Sequence, residues 1–245
     1  AQKKKWNIKI IFYIRRHALW IQSVYEQHLK SGALRNGQTL SEYIQYNKKN
    51  PTDQILLFGK VFGLDNVIVR PFEKEQFYKH SLYDDFLRLF NINLDDKFLF
   101  PQKNSNPRLS PSTIEFKRIY NTVCESKAES LQINKYLASY SKEFDKKSES
   151  IHRNYSLLSK EELNRISEKF DKSYEMIAKE YLGKSEPLFI SDSKLEHIEY
   201  ENKIEETLKV MCYLIKTQQQ RISELEDKGS LARDFNKLKK LLDSK

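Results

Sequence analysis

WNIKIIFYIRRHALWIQSVYEQHLK, residues 6–30, changes its hydrophobic period halfway along. Ile8 to Ile14 is a mostly apolar run of β-branched and aromatic residues, the composition of a parallel strand buried on both faces. From Ala18 onward Leu19, Trp20, Val24 and Tyr25 recur at helical spacing, so the segment reads strand, short turn, helix. Arg15 and Arg16 then stand at the carboxyl end of the strand, and Ser23 lies about one and a half turns into the helix. In open α/β sheets ligands bind at that edge. A guanidinium presents a planar fork to a phosphate, and a hydroxyl adds a further donor. Spacing alone fits two readings of these residues: solvated surface groups, or a phosphate site.

Outward from this stretch, residues 31–38 (SGALRNGQ) read as a loop and 40–48 as a short helix with Ser41 available as its cap. Pro51 and Thr52 open a further helix whose apolar residues Ile55, Leu56, Phe58 and Phe62 end at Gly63. Residues 66–70 (NVIVR) form a β-branched run halted by Pro71, a second parallel strand. Strand, helices, strand is the basic α/β crossover. At the end of this strand Arg70 is expected in solvent, and Glu73 in the first turn of the next helix, favoured by the helix dipole. That helix, 81–89, is expected to bury Leu82, Phe86 and Leu89.

Residues 93–110 are loop-like, and Ser110-Pro111 opens a helix to about residue 124 with Ile114, Ile119 and Val123 along its face. Residues 126–152 are helical in pattern but polar, an insertion or an arm. Ser159 and Glu162 make a capping box for a helix carrying Leu163, Ile166, Phe170, Ile177 and Tyr181, closed by Gly183. A first domain is expected over 1–192 and a helical coiled-coil tail over 193–245. In the tail Ile204, Leu208, Met211, Ile215, Gln218, Ile222 and Leu225 follow an alternating four-three spacing, the seam of a heptad repeat. Gly229 breaks the phase before Leu231, Phe235, Leu238 and Leu242 resume it. Two outcomes fit this seam: homo-oligomer formation through 204–225, or return of the helix onto its own domain.

Composition narrows the class. At 245 residues and 39% hydrophobic content the chain holds one sizeable core, with or without an extension. Apolar runs of a few residues exclude a transmembrane helix, and nothing at the start resembles a signal peptide, so the expected localisation is cytoplasmic. Cys124 and Cys212 lie far apart in helical patterns, which points to reduced thiols and to no metal site. The net charge of +9 is spread along the chain, apart from Lys3 to Lys5. No nucleic-acid-binding signature accompanies it, so nucleic acid is not the expected partner.

Arg15, seven residues, then Ser23 across a strand-to-helix junction resembles the 3′-phosphate-binding segment of PAPS-dependent sulfotransferases. IFYIRRHALWIQSVYEQHLKSG, FGKVFGLDNVIVRPFEKEQFYKHSLYDDFLRLFNI, NPRLSPSTIEFKRIYN and YLGKSEPLF are similar to stretches of sulfotransferase-like proteins of bacterial polysaccharide loci. The resemblance implies a P-loop-NTPase-like α/β fold with a short parallel sheet and flanking helices. It also implies 3′-phosphoadenosine 5′-phosphosulfate (PAPS) as co-substrate, and transfer of its sulfuryl group to a glycan or another hydroxyl or amine acceptor. Arg15 and Ser23 are the implied 3′-phosphate ligands, with Arg16 and Arg108 as weaker anion-binding candidates. The family's donor loop for the 5′-phosphosulfate precedes this strand and has no counterpart here, the six glycines being scattered at 32, 37, 59, 63, 183 and 229. The chain is therefore expected to be either an N-terminally incomplete piece or a degenerate, non-catalytic interaction protein with a coiled coil. His17, His28 and His80 are read as histidines without an identified partner, and the general base stays unassigned.

Overall fold

Strand β1 (Ile10–Ile14) and strand β2 (Val67–Pro71) pair in parallel, with Ile10 opposite Val67 and Ile14 opposite Pro71. The computed structural model describes residues 8–47, 50–95, 97–99, 108–147, 156–190 and 204–242, with the side chains of 144–147 and 230–242 left aside. Three helices connect the strands: α1 (His17–Lys30), α2 (Leu40–Tyr46) and α3 (Pro51–Phe62). After β2 come α4 (Leu82–Arg88), α5 (Pro111–Val123), α6 (Lys127–Gln132), α7 (Asn134–Lys147), α8 (Lys160–Leu182) and α9 (Ile204–Leu242). The chain is thus a mainly helical α/β protein with a small parallel sheet, as the change of period at residues 14–18 predicts. The expected boundary at residue 192 and the basic run Lys3–Lys5 lie outside the described residues.

Two cores meet along α8. The sheet face made by Ile10, Phe12 and Ile14 packs with Val67, Val69, Ile55 of α3, Ile177 and Ala178 of α8, and Leu188 and Phe189 beyond it. Ile166 and Phe170, two to three turns earlier in α8, join a second core with Ile21, Tyr25 and Leu29 of α1, Ile114 of α5, Leu137 of α7 and Val210 and Leu214 of α9. The first core requires α3 to approach α8 closely. A Cβ at Gly59 would lie 2.1 Å from the Tyr181 hydroxyl oxygen, and that hydroxyl donates to the Ile55 carbonyl at 3.2 Å.

Several boundaries and faces differ from the sequence reading. Thr39, not Ser41, caps α2, in a reciprocal box with Glu42. In α1 the buried apolar row is Ala18, Ile21, Tyr25 and Leu29, while Leu19, Trp20 and Val24 are half-buried. Phe86 of α4 is exposed, and the buried residue there is Asp85. Ile119 and Val123 of α5 are exposed too, and the helix buries Thr113, Ile114, Lys117 and Asn121 instead. The polar segment after Ser126 is no arm: Leu137 of α7 is fully buried in the core. The capping box of Ser159 and Glu162 and the left-handed Gly183 frame α8 as expected.

Candidate functional site

Two residues, Arg15 and Arg16, separate β1 from α1, so both leave the carboxyl end of the strand beside the helix start. Arginine has no side-chain acceptor with which to cap a helix, and Arg16 at the N-cap makes no side-chain cap bond. The first amide of α1 is satisfied from elsewhere: the His17 N–H donates to the Tyr174 hydroxyl oxygen at 2.7 Å. Burial pushes the Tyr174 hydroxyl up to about 12, against the pull of that bond.

The two arginines diverge. Arg16 donates through Nε to Glu73 Oε1 at 3.2 Å and lies over the Phe189 ring at 4.8 Å. Buried Glu73 also accepts from Gln76 Nε2 at 2.9 Å and from the Ile190 N–H at 3.0 Å, and Gln76 donates to the Leu188 carbonyl at 2.9 Å. Glu73 therefore does not serve the first turn of α4, which Ser81 caps. It ties the ends of both strands to residues 188–190. Arg16 also borders an open cleft of about 810 Å³ between the carboxyl half of α8 and residues 183–189, whose lining includes Tyr174, Lys179 and Lys184 but neither Arg15 nor Ser23.

Arg15 turns to α1. Burial and the neighbouring Arg108 guanidinium push it below its ordinary value, while Glu26 pulls the other way. Glu26 is buried, accepts from Gln22 Nε2 at 3.0 Å and lies 3.9 Å from Arg108 Nη2. Lys30, one turn further along α1, is lowered by burial and raised by the same carboxylate. Arg15 and Arg108 thus lie near one carboxylate of α1, and Lys30, at the far end of that helix, is influenced by the same charge. Ser23 precedes Glu26 by three residues on α1 and is exposed. The structure accordingly brings Arg15 and Arg108 together, keeps Ser23 on the solvent side of the same helix, and directs Arg16 elsewhere.

A third polar cluster holds the other sheet face. Tyr13 and Arg70 are cross-strand partners, and both bond to Asp85 of α4, Tyr13 Oη at 2.7 Å and Arg70 in a two-pronged pair. The Tyr78 N–H adds a bond to Asp85 at 2.9 Å. Burial would raise Asp85, but the bonds from Arg70, Tyr78 and Tyr13 outweigh it and hold the carboxyl below its usual range. Arg70 is therefore a structural partner of Asp85, not a solvated strand end.

The histidines are placed by packing. His17 stacks on Phe170, His28 Nδ1 meets the Tyr43 hydroxyl at 2.9 Å, and His80 Nδ1 lies 3.3 Å from the Lys74 carbonyl oxygen. Among the described residues no group of three His, Cys, Asp or Glu side chains gathers as a metal site, and no helix is long and apolar enough to cross a membrane. Sequence reasoning missed Glu26, Lys30 and Asp85, and it singled out Glu73 but for a different role. One signal was available: Gln22 and Glu26 sit four apart beside the row Ile21, Tyr25, Leu29, a polar pair at the rim of an apolar face.

No family model and no solved structure matches this chain. It is similar to an uncharacterized protein of Archaeoglobus fulgidus, 27% identical over 154 residues, which is 62% of this chain and 40% of that protein. The chain thus spans well under half the length of that relative.

Proposed function

We propose that this chain is a sulfotransferase-like protein that binds the 3′-phosphate of PAPS at the carboxyl end of β1. The observation that supports this reading is the proximity of Arg15, at the strand end, to Arg108, which lies 3.9 Å from the Glu26 carboxylate. Arg15 supplies the planar fork for the phosphate, Ser23 a hydroxyl donor from α1, and Arg108 a neighbouring positive charge. Bound PAPS would supply an activated sulfuryl group for a hydroxyl or amine, with a glycan as the proposed acceptor. The residues of this chain position the donor and offset its charge, the contribution that dominates in phosphoryl transfer.

Calorimetry with adenosine 3′,5′-bisphosphate, set against adenosine 5′-monophosphate, tests the reading. The bisphosphate should bind more tightly, and Arg15→Ala should weaken it by about 1.5–3 kcal/mol, the range for a hydrogen bond to a charged group. Equal affinity for the two nucleotides, or an Arg15→Ala variant that binds like the parent, would sink the 3′-phosphate site. A second reading is a non-catalytic interaction protein that retains this fold, and the exposed apolar row of α9 favours it. Sulfuryl transfer from labelled PAPS to a polysaccharide acceptor excludes that alternative.

A further inference from the structure

We infer that α9 pairs with the α9 of a second copy of this chain, as a parallel two-stranded coiled coil over residues 204–225. The helix carries two distinct apolar rows. Val210 and Leu214 are buried in the domain core, where the Tyr213 ring meets Tyr140 at 5.2 Å and its hydroxyl meets Ser139 Oγ at 3.3 Å. The second row lies about a third of a turn away at 100° per residue and faces solvent. Its exposure runs from 43% at Met211 to 75% at Ile204. Every residue from Gln218 to Gly229 is exposed as well, so this half of α9 has no buried face.

The spacing of the exposed row says what covers it. Leu208, Ile215 and Ile222 fall at heptad position a, and Ile204, Met211, Gln218 and Leu225 at d. Ile215 and Ile222 at a with Leu225 at d suit two parallel strands, while Leu208 at a and Ile204 at d depart from that pattern at the amino end. The polar d position is satisfied within the chain, because Gln218 bonds to Tyr136 of α7. Charge sets the direction. The flanking e positions carry Glu205 and Glu226, and the g positions Arg221 and Lys228. In a parallel pair each g residue faces the e residue of the next heptad on the other helix, which sets Arg221 against the Glu226 of the second copy. An antiparallel pair over the same stretch sets Glu205 against the Glu226 of the second copy, acid against acid, and separates Arg221 from that carboxylate. The helix's own domain occupies the Val210–Leu214 side and reaches the exposed row at Gln218.

Light scattering on the full chain across a wide concentration range tests the pairing. The parent should show twice its 29.2 kDa mass at high concentration and fall toward the monomer on dilution. The double variant Ile215→Lys, Ile222→Lys changes two exposed side chains and should stay monomeric with an unchanged far-ultraviolet circular dichroism spectrum. A parent that is monomeric throughout, or a double variant with the parent's mass, overturns the pairing. The direction is read separately in the Cys212→Ser, Leu225→Cys chain. Oxidation should link two copies through residue 225, since matched d positions face each other in a parallel pair. A dimeric mass without this link overturns the parallel arrangement.

Discussion

His17 is kept neutral by its surroundings. Its ring stacks on Phe170 with centroids 3.8 Å apart and tilts against Trp20 at 5.1 Å. Burial lowers its pKa from 6.5 to about 4, with the charge of Lys169 acting in the same direction. Between those two values the unfolded chain takes up a proton that the folded chain refuses, so stability falls as pH falls through the window and levels off below it. Urea unfolding across this range should show that loss, and His17→Phe, which keeps a stacking ring, should remove most of the slope. The elements that carry Arg15 and Ser23 were legible in the sequence, because a strand end and the helix after it are local features of the chain. Their environment was not, since Glu26 and Arg108 are 82 residues apart in sequence and meet through tertiary packing alone. For the same reason Arg16, sequence neighbour of Arg15, was legible as a cation but not as the partner of Glu73.

Elements were easier to read than the faces they bury. The period change that separates β1 from α1, the proline that ends β2 and the capping box of α8 are all local signals, and the structure follows each of them. In α5 hydrophobic periodicity found one buried residue, Ile114, and missed the rest of the buried face. The row that turns inward is Thr113, Lys117 and Asn121, spaced as a helix requires but polar. Each residue is buried because another element satisfies it: Thr113 meets Ser141 of α7, Asn121 donates to the Leu29 and Leu34 carbonyls, and Lys117 donates to the Ser130 carbonyl and hydroxyl. A hydropathy pattern does not register such pairing. Burial lowers the Lys117 amine from 10.5 to about 8. The unfolded chain therefore holds more protons than the folded chain between those values, and stability gains as pH rises through the window. Against a Lys117→Met variant, the parent should gain roughly 3 kcal/mol in relative stability between neutral and strongly alkaline pH. A constant difference between the two proteins would show that Lys117 is charged and satisfied in its site.

At the scale of the molecule, α9 belongs to the same core as α1 and α5 through Val210 and Leu214, and its residues 218–229 are exposed. Leu214→Ala should accordingly lower the free energy of global unfolding by about 2–4 kcal/mol, as for other buried leucines, in chemical denaturation followed by tryptophan fluorescence. An unchanged midpoint would mean that the tail unfolds separately from the domain. The sequence pattern picked out the apolar row that α9 exposes and missed its anchor, because Val210 and Leu214 are too few to show as a period of their own. The carboxyl end of β1 is itself completed from far away: the Ile190 amide reaches Glu73 across 117 residues, and Tyr174 reaches the start of α1 across 157. Contacts between such distant positions close slowly, and a nascent chain is made from its amino end. During synthesis, β1 and β2 emerge long before the residues that seal their ends, so this edge faces water until position 190 has cleared the ribosome.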